Sequence, residues 1–180
     1  MYGLVNRAIE DLVRKQHGEA TWQRIRERAG VPGRAFVAME SYPDAITYAL
    51  VGAASEGLGL PAESVLEAFG EFWMTYTAEE GYGDLLGLMG STFEQFMDNL
   101  DAMHTRIAAT MPHLVPPTFH REALADGASI LHYESEREGL APMVIGLLRG
   151  LAQRFGVAIT IEALPAEAPS RARFLIRPRR

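Results

Sequence analysis

The chain has 180 residues, 48% hydrophobic and 22% charged, which suits one folded unit and excludes a disordered chain. A net charge of −6 argues against a nucleic-acid partner, and the absence of cysteine removes disulfides, thiolate ligands and cysteine nucleophiles. The opening 1-MYGLVNRAIEDLV-13 mixes charge into its apolar residues, and no apolar run reaches membrane-spanning length. A soluble, cytoplasmic protein with no membrane partner is expected. The five arginines in the last ten residues read as a solvated terminus.

In chain order, the first two thirds predict helices. Leu4, Val5, Ala8, Ile9, Leu12 and Val13 recur at helical spacing over 3–18, with Gly18 as the stop. A short second helix is expected over 20–30, then a loop over 31–43 punctuated by proline and glycine. Helical patterns return at 44–59, which Asp44 would cap, and at 61–77, with Pro61 suited to the first turn. After the glycine-bearing 81-GYGDLLGLMG-90, one helix is predicted over 91–110. It opens with the capping-box spacing Ser91 to Glu94. Its stripe of Phe93, Phe96, Met97, Leu100, Met103 and Ile107 includes His104, which therefore points inward.

Beyond the connector 112-PHLVPPTF-119 the period changes. Strands are expected at 129–137, 157–163 and 172–178, with a helix at 141–156 between the first two. Helices followed by an antiparallel sheet with one inserted helix make the class α+β. One domain spanning 1–180 is expected, helical to about 110 and mixed beyond about 111.

The stretch 131-LHYESEREG-139 sets Tyr133, Ser135 and Arg137 at alternate positions, so on one face of a strand. Two hydroxyls and a guanidinium are the donors that a pair of carboxylates requires. Alone, this could be a strand facing water, and His104 alone could be a core residue bonded to a carbonyl. Together they describe heme, whose iron takes a neutral imidazole, whose ring takes an apolar pocket and whose propionates take cationic and hydroxyl donors. His113, His120 and His132 stand at no recognised metal-ligand spacing, and no nucleophile elbow, P-loop or dinucleotide fingerprint supports an enzyme.

These residues resemble the heme–nitric oxide/oxygen-binding (H-NOX) family, which includes the sensor domain of the soluble guanylate cyclase β subunit and stand-alone bacterial proteins. The resemblance runs through 1–13, 69-FGEFWMTYTAEEGYGDLL-86, 99-NLDAMH-104, 116-PP-117 and 133-YESEREGLAPMVIGLL-148. It implies heme b ligated by His104, propionates held by Tyr133, Ser135 and Arg137, and a porphyrin distorted by pressure from Pro117. Relatives that bind oxygen stably resemble one another in a tyrosine on the helix after the Tyr-x-Ser-x-Arg strand. Here that place falls to Met143, with Val5, Trp73 and Leu147 as expected neighbours. Trp73 carries an indole N–H, so it either fills core volume or faces the gas.

The expectation is a sensor that binds nitric oxide and carbon monoxide, excludes oxygen, and signals by conformational change. Its partner would be a histidine kinase or a diguanylate cyclase. An oxygen-binding heme protein and a heme-free protein-interaction domain are the rival readings.

Overall fold

The computed structural model describes residues 1–31, 33, 35–166 and 168–179. Among these, the helices are α1 (Gly3–His17), α2 (Glu19–Arg28), α3 (Asp44–Leu58), α4 (Ala62–Thr77), α5 (Gly83–Gly87), α6 (Phe93–Asp98), α7 (Leu100–Thr110) and α8 (Ala141–Phe155). A π-helical turn, Ala78–Tyr82, joins α4 to α5. The strands are β1 (Thr118–Ala123), β2 (Ser129–Glu134), β3 (Ile159–Leu164) and β4 (Arg171–Pro178), forming one antiparallel sheet in the order β1-β2-β4-β3. The class is α+β.

Two apolar clusters organise the chain. One buries Leu4, Ala8, Ile9, Trp22, Ile25, Leu50 and Phe69 from α1 to α4. The other buries Phe93, Phe96 and Met97 of α6, Leu148 and Leu151 of α8, and the inner sheet face of Phe119, Leu131, Tyr133, Phe174 and Ile176. Strand alternation sends His132 to the outer face, where Nε2 lies 3.1 Å from Glu122 Oε2.

α4 and α8 cross with their backbones nearly touching. A Cβ added to Gly146 would lie 1.9 Å from the Glu67 carbonyl oxygen, and one on Gly70 would lie 2.1 Å from that of Met143. Only glycine permits this approach. Trp73 of α4 and Met143 and Leu147 of α8 line one cavity.

Several local expectations need correction. The helix predicted over 91–110 is two, broken at Asn99, whose side chain donates to the Met89 and Gln95 carbonyls. Its cap is Thr92, whose hydroxyl accepts from Gln95 N at 3.2 Å, while Gln95 Oε1 accepts from Ser91 N. The Ser91–Glu94 pair therefore gives way to one shifted by a residue. Asp44 caps nothing, since Pro43 is the N-cap of α3, and Pro61 precedes α4 rather than opening it. The connector runs into an unforeseen strand, β1, and β2 ends at Glu134, so Ser135 and Arg137 follow the strand instead of lying on it.

Candidate functional site

A cavity of about 300 Å³ opens between the two clusters. Its apolar wall includes Leu4 and Val5 of α1, Trp73 and Met74 of α4, Leu100, Met103 and Ile107 of α7, and Met143, Leu147 and Leu151 of α8. The same cavity is lined by His104, Pro117, Tyr133, Ser135 and Arg137, so every residue singled out in the sequence reaches one space.

α7 supplies its floor. The inward residues Leu100, Met103, His104, Ile107 and Ala108 are all only half-buried, and none of the helix's residues is fully buried. An apolar helical stripe normally packs against protein. This one faces the cavity.

His104 is stacked on Phe119, with ring centroids 5.7 Å apart and planes at 28°. Its Nδ1 is buried and has no hydrogen-bond partner. Burial pushes its pKa below the ordinary histidine value, partly opposed by Asp101, so the imidazole is neutral near pH 7. Neutral imidazole is the form that ligates iron.

At the rim, Tyr133 and Ser135 are buried, and burial raises the phenol's pKa, partly opposed by Ser135 and Arg137. Ser135 Oγ accepts from Arg137 N at 3.0 Å, which orders the turn after β2. Arg137 donates from Nε to Asp44 Oδ2 at 2.8 Å and from Nη1 to the Val115 carbonyl at 2.7 Å. A guanidinium has five N–H groups, so three remain for a ligand. Asp44 also takes the Met1 amine. Burial acts to raise the Asp44 carboxyl, but hydrogen bonds from Met1 and Arg137 outweigh it and hold the group below its ordinary value.

The donor set fits heme: a neutral, unpartnered imidazole below, an apolar chamber, and hydroxyl and guanidinium donors at one edge. Opposite α7, the cavity-facing residues of α8 are Met143, Val144, Leu147, Leu148 and Leu151, all without a donor. Trp73 lines the cavity and also packs against Phe69 and Tyr76, with ring centroids at 5.8 and 6.2 Å. Sequence reasoning passed over Tyr2 and Tyr82 and set His113 aside, yet all three also line the cavity. Tyr82 sits in the π-helical turn, where no periodicity signals its direction.

α6 and α7 are fastened to β1. Arg121 grips Asp98 with two bonds of 2.7 and 2.8 Å, and Asp101 Oδ1 accepts from Phe119 N at 2.7 Å.

The profile of the family described as Haem-NO-binding matches residues 2–163. Soluble guanylate cyclase gcy-32 of Caenorhabditis elegans is 34% identical over 165 residues, which is 89% of this chain and 24% of that protein. Guanylate cyclase soluble subunit beta-2 of Rattus norvegicus is 37% identical over 93 residues, 52% of this chain and 14% of its own length. The chain thus spans about a quarter or less of these curated relatives. Among solved structures, an H-NOX protein from S. oneidensis in the Fe(II)NO ligation state superposes with a TM-score of 0.89 at 25% identity, over the whole of both chains.

Proposed function

The chain belongs to the Haem-NO-binding (H-NOX) family, and on that premise we propose that residues 1–180 act as one nitric oxide sensor that excludes oxygen. Membership makes it a heme-binding gas-sensor domain rather than a catalyst. The choice of gas, the residue roles and the partner are the proposal.

The observation that supports it is the meeting of His104 with Tyr133, Ser135 and Arg137 in one cavity whose α8 wall has no donor. His104 would hold the iron of heme b, and Tyr133, Ser135 and Arg137 its propionates. Pro117 would press on the ring, and Val5, Trp73, Met143 and Leu147 would surround the gas. Bound there, heme would supply a ferrous iron able to take nitric oxide or carbon monoxide.

The protein's own part is mechanical. His104 would link the bound group to α7, and the Asp98–Arg121 and Asp101–Phe119 bonds join α6 and α7 to β1, so a shift of the His104 helix would reach the sheet. The contact that would distinguish the two states is the one His104 would make with the bound group. In this reading the shifted surface is read by a histidine kinase or a diguanylate cyclase in the cytoplasm. No helix among the described residues is long and apolar enough to cross a membrane.

An absorption spectrum of the reconstituted ferrous protein tests the reading. A Soret band that shifts under nitric oxide and stays put in air supports it. A stable complex in air would instead assign Trp73 or Tyr82 as an oxygen-facing donor. No Soret band after reconstitution would support the heme-free interaction domain.

A further inference from the structure

His113 lies in the connector between α7 and β1, exposed, at the edge of the cavity it helps to line. Its backbone N–H donates to the Tyr2 hydroxyl at 3.4 Å, which ties the connector to the start of α1. Two residues on, the Val115 carbonyl receives Arg137 Nη1. His113 and Arg137 therefore belong to the same rim.

The charges at that rim do not balance for a dicarboxylate. Arg137 is already matched by Asp44 at 2.8 Å, and Asp44 also takes the Met1 amine. The phenols of Tyr2 and Tyr133 and the hydroxyl of Ser135 donate hydrogen bonds but carry no positive charge near pH 7. His104 is neutral and belongs to the cavity floor. Among the described residues lining the cavity, His113 is the remaining side chain that can become a cation.

We infer that His113 is a second holding point for heme, pairing with the propionate that the Arg137 cluster leaves uncompensated. This rests on the heme reading above. An imidazole changes charge across the physiological range, so the grip should tighten as pH falls. The other charged or titratable residues lining the same cavity are Met1 with its amine, Tyr2, His104, Tyr133 and Arg137, and Asp44 is bonded to Arg137.

The test is heme release from the ferric holoprotein to excess apomyoglobin, followed by absorbance. At about pH 6, His113→Gln should release heme about fivefold faster than the native chain, the favourable end for an exposed ion pair. At about pH 8 the difference between the two should shrink. Taking the ratio of the two proteins cancels any pH effect at His104. His113→Lys, charged at both values, should release heme slowly at both. Equal release by the native chain and His113→Gln at about pH 6, or a pH-independent ratio, would overturn the assignment while leaving the heme site standing. Failure of the native chain to take up heme at all would overturn both.

Discussion

His104 and Phe119 stack with ring centroids 5.7 Å apart, and Phe119 is itself held through its N–H by Asp101, one turn before His104 on α7. The ring that would ligate iron is thus buttressed by a strand fastened to its own helix. Removing the imidazole should leave a ligand-sized gap without dismantling this frame. His104→Gly should lose stable heme binding and regain it with free imidazole, read from the ferrous spectrum. An unchanged spectrum in the variant would remove His104 from the role.

Arg137 and Ser135 should contribute unequally to heme retention. Arg137→Ala removes a charge and five donors, and also strands the Asp44 carboxylate, whereas Ser135→Ala removes one hydroxyl. Heme transfer should be faster by about tenfold or more in the arginine variant, from loss of a charge-assisted bond of about 1.5–3 kcal/mol. Small, equal losses in both would return the stretch after β2 to an ordinary solvated turn.

Met143 should decide the response to oxygen. It lines the cavity, half-buried on α8, and offers no proton. Met143→Tyr would add a donor worth about 1.5–3 kcal/mol to a partly charged ligand, or about one to two decades of oxygen affinity. Nitric oxide binding should change little. Ferrous spectra in air and under nitric oxide check both halves, and if the native chain alone holds oxygen, Trp73 and Tyr82 become the variants to make.

Gly146 should be intolerant of any side chain. Its Cβ would meet the Glu67 backbone oxygen at 1.9 Å, and backbone cannot step aside as a flexible side chain can. Gly146→Ala should cost about 2 kcal/mol or more by forcing α4 and α8 apart, despite alanine's better helix propensity. Chemical denaturation measures the loss. Gly52→Ala on α3, where an added Cβ meets nothing within 4 Å, should be neutral or stabilising and serves as the control.

The sequence made the rim easy to read and the break in the proximal helix hard. Tyr133, Ser135 and Arg137 announce themselves because burial keeps its two-residue alternation through Ser135, one residue beyond the last ladder position of β2. Asn99 gives no such warning, since the apolar stripe continues across it and only the side-chain bonds to Met89 and Gln95 reveal the break. β1 was hidden because, among its six residues, Phe119 alone is buried. Tyr82 and His113 come to the cavity by tertiary placement, one from a π-helical turn and one from a proline-flanked connector. Neither setting has a period to read.

The half-buried face of α7 has a consequence for how the chain survives before it senses anything. A helix of eleven residues is marginal in water and depends on what covers its apolar side. In α7 that side looks into the cavity, so whatever fills the cavity completes the core and holds the helix closed by mass action. A newly made chain short of cofactor would open first at α7 and the connector, presenting Met103, Ile107 and Met111 to proteases. Resistance of the chain to proteolysis would then track heme supply.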